Sequence, residues 1–274
     1  MFALSVWRGF ESRYANEMRQ EFIDQYHNDG YALVPNLISA GEAAALRQEM
    51  HDLAANLSKN HKIDATWGSA MGAVAAPEKT VILHCHNVQF YSAAVTKLIC
   101  DPRMTDYAAA MMGSENVQLH HSKMFIKPPE KGSPFPMHQD APFFKHDNDS
   151  MMAVIFFFDD APLEKGCLRV VPGSHKLGML EHIGDGGWHL PYEQYPVENA
   201  LPLPAKAGDA VFFNYLTIHG SGINVSEEAR TTILVQMRDP LDKPSTNDGH
   251  ASRGQGMMLR GVDPNPHPKV LESM

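Results

Sequence analysis

The chain has 274 residues, 43% of them hydrophobic and 20% charged, a composition that can bury a sizeable core and excludes wholesale disorder. Lys and Arg number 23 against 32 Asp and Glu, a net charge of −9. That balance argues against nucleic acid or an anionic membrane as partner and leaves a small molecule as the expected one. The longest apolar run, Met151 to Phe158, falls far short of the roughly 20 residues of a spanning helix. Arg8, Glu11 and Arg13 come too early for the apolar stretch of a secretion signal. Cys85, Cys100 and Cys167 share no C-x-x-C spacing, which suggests neither a disulfide framework nor a thiolate metal site and fits a cytoplasmic setting.

In chain order, Tyr14 to His27 sets Met18, Phe22 and Tyr26 on one helix face, and Asn28-Asp29-Gly30 stops it. Tyr31 to Pro35 reads as a short strand. Ser39 and Glu42 form a capping box, opening a helix whose Leu46, Met50, Leu53 and Leu57 make one buried stripe. Leu83 to Val88 is strand-like and alternates His84 and His86. Asp101 as N-cap, Pro102 at the first helical position and Gly113 beyond the end predict a helix over 102–112. Short β-type runs follow between Gly and Pro turns: Val117 to Ile126, Met151 to Phe158, Leu168 to Val171, Ala210 to Tyr215 and Thr231 to Met237. Their pattern predicts an antiparallel core. Gly178 to Pro204 is long for a connection and reads as a lid, and the chain from Asp239 reads as an irregular tail. One domain over 1–274 is expected, with a mostly helical part to about 112, a β core over about 113–240 and a tail over 241–274. Nothing in the sequence specifies an oligomeric state.

Histidine is the outlier of the composition, with 15 residues. On a strand, His138 and Asp140 would project to the same face, an imidazole and a carboxylate aimed into one cavity. Such a pair needs a distant histidine to complete the facial triad that holds non-haem Fe(II) with coordination positions left open. His219, after the apolar run Ala210 to Tyr215 and before Gly220-Ser221-Gly222, is the candidate. Arg230 lies eleven residues beyond His219 at the start of a strand. If 210–219 and 230–237 are antiparallel neighbours, its guanidinium reaches toward the metal and suits bidentate capture of a carboxylate. Open iron positions plus an inward arginine are what a 2-oxoglutarate cofactor requires.

Four stretches then carry a resemblance. They are Phe22 to Pro35, Lys127-Pro-Pro with His138-Gln-Asp140, Gly166 to His175, and His219-Gly-Ser-Gly with Arg230. In this order and spacing the chain resembles the phytanoyl-CoA dioxygenase family of Fe(II)/2-oxoglutarate oxygenases. The resemblance implies a mainly β double-stranded β-helix, a cupin-like jelly roll, with N-terminal helices packed on one sheet. It implies His138, Asp140 and His219 as iron ligands, and Arg230 and Ser221 as cofactor contacts. Lys123 or Met124 would supply another contact. Relatives often carry a tryptophan beside the cofactor, where this chain has Ile155 or Phe156. Retention of the aspartate implies hydroxylation of a C–H bond, with O2 as co-substrate and succinate and CO2 as products.

Phe144, His86, Asn214 and Arg238 are candidates for the substrate wall, with Gln236 beside them, whereas adjacent His120 and His121 should face opposite ways on a strand. His175 reads as a turn-stabilising residue. The substrate reads as a small polar metabolite or a secondary-metabolite skeleton. Two other classes fit a jelly roll with this triad: a metal-dependent isomerase or zinc hydrolase without 2-oxoglutarate, and a non-catalytic binding module.

Overall fold

The computed structural model describes residues 19–59, 83–129, 134–183, 189–245 and 255–264. Helix α1, described over 19–29, ends at Gly30; the predicted start of this helix at Tyr14 lies outside the described residues. Strand β1 is Tyr31–Val34 and helix α2 is Ala40–Lys59. At the start of α2 the capping box forms as expected: the Glu42 carboxylate accepts from the Ser39 backbone N at 2.8 Å, and Ser39 Oγ accepts from the Glu42 N at 3.2 Å. Leu46, Met50 and Leu57 are buried, with Leu53 packed beside them. Strand β2 is Leu83–His86, and helix α3, Ala93–Ile99, lies in the part read as mostly helical, where the sequence signals set it no bounds of its own. Helix α4 is Pro102–Met112, capped by Asp101 and closed by Gly113 in the left-handed region, as its sequence signals predict.

The remaining strands are β3 (Val117–Lys127), β4 (Phe135–His138), β5 (Met152–Phe157), β6 (Leu168–Val170), β7 (Leu201–Leu203), β8 (Ala210–Asn214), β9 (His219–Ser221), β10 (Arg230–Arg238) and β11 (Met258–Arg260). They form two antiparallel sheets. The larger runs β1-β8-β5-β10-β3-β11, with β2 also on β3, and the smaller runs β4-β9-β6-β7. Side chains that alternate along the large sheet serve two cores. Met152, Val154, Phe156, Phe212, Ile233 and Val235 pack under α2, α3 and α4. Ala153, Phe157, Val211 and Phe213 face the small sheet, meeting Leu168, Val170 and Leu203. The result is the jelly roll the sequence implied, with helices on one face of the large sheet and the small sheet on the other.

Three expectations are corrected. β8 and β10 are not neighbours, because β5 lies between them and pairs with both; the chain leaves β8 for the other sheet before it reaches His219. β7 lies inside the stretch read as a lid, and β11 pairs with β3 inside the stretch read as an irregular tail. Among the described residues, no helix is long and apolar enough to cross a membrane. Cys85, Cys100 and Cys167 are free thiols.

Gly30 shows why the α1 stop must be a glycine. Its φ is +81°, and an added Cβ would lie 2.4 Å from His175 Nδ1 and 2.5 Å from Thr217 Oγ1. Its carbonyl accepts from the Asn214 N at 2.9 Å and from Thr217 Oγ1 at 2.7 Å, so α1 is seated on the segment that leads to His219. His175 holds the other side of this turn through the His27 carbonyl, the role its sequence context suggested. Gly30→Ala combines a left-handed residue with overpacking and should cost at least about 2 kcal/mol. A urea midpoint equal to wild type would contradict this.

Candidate metal and cofactor site

His138 ends β4 and His219 begins β9, and the two are cross-strand partners. Their rings lie 4.2 Å apart between centroids. Asp140 does not reach them by strand alternation, since β4 stops at His138; it opens the short turn Ala141–Phe143. The turn is pinned by the Asp140 N donating to the Tyr215 carbonyl at 2.9 Å. Asp140 Oδ1 thereby stands 4.0 Å from His138 Nε2 and 3.9 Å from His219 Nε2. Ligand atoms of the three residues all lie within 4.8 Å of one another, close enough for one cation to bridge them.

The surroundings orient each group. His138 Nδ1–H donates to the Pro136 carbonyl at 2.8 Å and His219 Nδ1–H to the Thr217 carbonyl at 2.9 Å. Both Nε2 lone pairs are left facing the centre, the tautomer a metal needs. Burial, reinforced by His219 and opposed by Asp140, pushes His138 down to about 3, so its ring is neutral. Gln236 Nε2 donates to Asp140 Oδ2 at 2.8 Å and leaves Oδ1 for the centre. Phe213 packs on the His219 ring at 4.5 Å. Gln139, between two of the three, is wholly buried on the far side. Its amide donates to the carbonyls of Gly178 and Leu216 and accepts from the Leu180 N, while its own N donates to His182 Nε2. The stretch read as a lid is thus tied to the His138 strand. Gln236→Met would free Asp140 Oδ2 and should weaken metal binding roughly 10- to 100-fold, read by competitive titration against a chelator. An unchanged affinity would remove Gln236 from the site.

Beyond the triad, Arg230 is buried and donates through Nη1 to the Gly166 carbonyl, while its Nε has no hydrogen-bond partner. Burial lowers it to about 10. A guanidinium kept from water without a carboxylate hydrogen-bonded to it fits an anionic ligand end. Ser221 Oγ lies close by, accepting from Lys127 Nζ at 2.9 Å.

The register turns Lys123, and not Met124, to the inner face of β3. Met124 is in the helix-side core, and Lys123 is on the inner face, where burial brings it down to about 8 against the opposing pull of Asp140. By the same alternation Phe156 packs under the helices and Ile155 faces the inner core. His86 pairs with Lys123 in register and stands 2.9 Å from His121 Nε2 through its Nδ1. Phe144 packs edge-on against His120 at 4.6 Å. Arg238 turns its Nη1 to the Asp239 and Asp242 carbonyls and leaves Nε without a partner.

Two inferences about side-chain direction fail. Asn214 is not on the cavity wall: its Oδ1 accepts from the Leu216 N, and its side chain meets Tyr26 of α1. Strand alternation gives the inner position to Phe213 instead. His120 and His121 do not face opposite ways, because a bulge in the β3–β10 ladder sets His121 opposite Gln236 and Leu119 opposite Met237. Leu119 is in the helix-side core, so both imidazoles turn inward. Gln236 as the holder of Asp140, and Lys127 beside Ser221, are further members of the site; their signal in the sequence was a polar residue on an inward position of a core strand.

Comparison with known proteins agrees with this geometry. The profile of the family Phytanoyl-CoA dioxygenase (PhyH) matches residues 26–232. A probable alpha-ketoglutarate-dependent hypophosphite dioxygenase of Stutzerimonas stutzeri is 27% identical over 89% of this chain and 86% of its own length. The ectoine dioxygenase of Bordetella bronchiseptica is 26% identical, over 85% and 80%. Among solved structures, the epimerase SnoN in complex with Fe3+, alpha ketoglutarate and nogalamycin RO superposes with a TM-score of 0.68 at 25% identity, covering 88% of this chain and 98% of that one. With the family profile running through His138, Asp140, His219 and Arg230, the chain belongs to the phytanoyl-CoA dioxygenase family and is an Fe(II)/2-oxoglutarate-dependent dioxygenase.

Proposed function

We propose that this enzyme holds Fe(II) on His138, Asp140 and His219, seats 2-oxoglutarate with its distal carboxylate at Arg230 and Ser221, and hydroxylates a C–H bond of a small polar metabolite. The observation that carries this reading is the pairing of an imidazole–imidazole–carboxylate cluster with a buried guanidinium whose Nε has no partner. A zinc hydrolase, an isomerase or a binding module would have no use for that guanidinium. Iron and 2-oxoglutarate supply the oxidising power: one oxygen of O2 enters the substrate and the other leaves in succinate, with release of CO2.

The chain's own contribution is orientation and exclusion of water. The Pro136 and Thr217 carbonyls fix the two imidazoles, and Gln236 fixes the carboxylate. Phe213 on His219, and Phe125 edge-on to Phe135 at 5.7 Å, give the cavity apolar walls. Lys123 is assigned as a further cofactor contact, and His86, Phe144 and Arg238 as substrate wall.

A polar substrate is favoured over an apolar skeleton by three buried atoms around Asp140 that lack partners: His120 Nε2, His146 Nε2 and Gln236 Oε1. Each such atom costs about 1–3 kcal/mol when unsatisfied, a penalty that a hydrogen-bonding ligand relieves. Relatives named for hypophosphite and ectoine take small polar compounds. An acyl-CoA would ask for a basic groove, against the net charge of −9. A cytoplasmic setting suits the three free thiols. The test is succinate release by the iron-loaded enzyme across small phosphonates, phosphinates and cyclic amino acids, with acyl-CoAs and polyketide glycosides alongside. Stimulation confined to the small polar set is expected; stimulation confined to the large substrates would overturn the substrate class.

A further inference from the structure

Four buried side chains hold polar atoms without a hydrogen-bond partner among the described residues: His120 Nε2, His146 Nε2, Gln236 Oε1 and Arg238 Nε. They stand together. Met237 packs in the helix-side core, so Gln236 and Arg238 on either side of it share the opposite face of β10. The β3 bulge turns His120 to that face, where its ring lies 5.7 Å from the ring of His146. The Arg238 charge acts on both imidazoles. The segment after β10 fixes the loop that carries His146: Pro244 bridges to His146, and the Asp242 carboxylate accepts from the Asn148 N and the Ser150 N, each at 2.8 Å. Arg238 Nη1 donates to the Asp242 carbonyl of the same segment. A cavity of about 220 Å³ adjoins His146, walled also by Lys145, Tyr215, Leu216 and Ser245. That is room for a small compound, below the roughly 300–1,000 Å³ of a drug-sized pocket.

The four atoms differ in what they ask of a ligand. Gln255 Nε2 donates to His120 Nδ1 at 3.4 Å, which leaves the hydrogen of the neutral ring on Nε2. His146 donates from Nδ1 to the Phe144 carbonyl at 2.6 Å, so its Nε2 carries a lone pair. Burial lowers both imidazoles, His120 to about 3, and keeps them neutral. Gln236 turns its amide nitrogen to Asp140 and is left with its carbonyl oxygen, whereas Arg238 Nε can only donate. The site therefore wants two acceptors, for His120 and Arg238, and two hydrogens, for His146 and Gln236. An ionised acid supplies the first pair and has no hydrogen to give; an ammonium supplies the second and has no lone pair.

We propose that the substrate is a small zwitterion, an acid carrying an amine, whose anionic end is received by His120 and Arg238 and whose ammonium is received by Gln236 and His146. This rests on the function proposed above and narrows its substrate class. Because Gln236 also holds Asp140, the amine end lies nearer the metal, and the acid end lies toward the end of β10.

The experiment is anaerobic calorimetry of the enzyme loaded with Fe(II) and 2-oxoglutarate, with succinate release in air as a second readout. The probes are amino acids and aminoalkylphosphonates, the same acids without the amine, and the same amines without the acid. The zwitterions should bind at least about tenfold more tightly than either one-ended analogue, and they alone should raise succinate release. His120→Phe should shrink the gap between zwitterion and lone amine and keep the gap to the lone acid. His146→Phe should do the reverse. Variants that shrink both gaps equally would make the two imidazoles mere wall packing and overturn the proposal. So would wild-type enzyme that binds zwitterions no better than one-ended analogues, or that binds none of them while 2-oxoglutarate binds, results that do not depend on a variant folding. Failure of 2-oxoglutarate itself to bind the iron-loaded protein would instead overturn the function on which the proposal rests.

Discussion

His219→Ala should leave a folded protein whose Fe(II) affinity falls by more than the roughly 10- to 100-fold that loss of an outer-shell partner costs. The imidazole it removes is one of three groups around the centre, and among the described residues no neighbour stands in place to substitute for it. His182 is committed to the Gln139 N, and Phe213 offers only a ring face. The other two groups keep their own supports, His138 through the Pro136 carbonyl and Asp140 through Gln236. The defect should therefore appear as metal loss and not as a rearranged site. Anaerobic Fe(II) titration, with circular dichroism to establish folding, checks it. A folded variant with wild-type affinity would remove His219 from the metal site.

Arg230→Met tests the other end of the cavity and should spare the metal. In the wild type the guanidinium is buried with one nitrogen unpartnered, a cost to the protein alone that a bound carboxylate relieves. Met fills most of the space without the charge, so the fold should persist. A cofactor carboxylate facing this position would be buried without its guanidinium partner. Breaking such a pair costs about 3–5 kcal/mol, and the apparent KM for 2-oxoglutarate should rise roughly a hundred- to several-thousandfold. Fe(II) affinity should stay within about threefold of wild type, since Arg230 lies outside the triad. A KM within about fivefold of wild type would show that the distal carboxylate lies elsewhere.

What the sequence made legible follows physical scale. The α2 capping box, the Asp101 to Gly113 frame of α4 and the long strands β3, β5, β8 and β10 carry enough residues for a period to show. The small sheet is different: the run Leu168 to Val171 marks β6, but β7 and β9 have three residues each and β4 four, too short to express alternation. Yet β4 and β9 carry both histidines of the site, which were legible only through residue chemistry and spacing. Asp140 reached its place for a different reason than i, i+2 alternation suggested, through a turn held by the Tyr215 carbonyl. Errors of direction came from features with no sequence signature: one bulge at His120, and a one-residue phase on β8 that exchanges Asn214 for Phe213. Lys127 was visible as part of Lys-Pro-Pro, but its burial between Ser221 and Arg230 depends on a sheet-to-sheet contact.

The central claim is that one cavity binds Fe(II) on His138, Asp140 and His219 with 2-oxoglutarate chelated to it. The most direct measurement adds Fe(II) and then 2-oxoglutarate to the apo-protein without oxygen, and follows the weak visible charge-transfer absorption of a 2-oxo acid on ferrous iron. The band should appear in the wild type, be lost in His138→Ala, and require far more 2-oxoglutarate in Arg230→Met. A folded wild-type protein that takes up iron and shows no band at saturating 2-oxoglutarate would contradict the account.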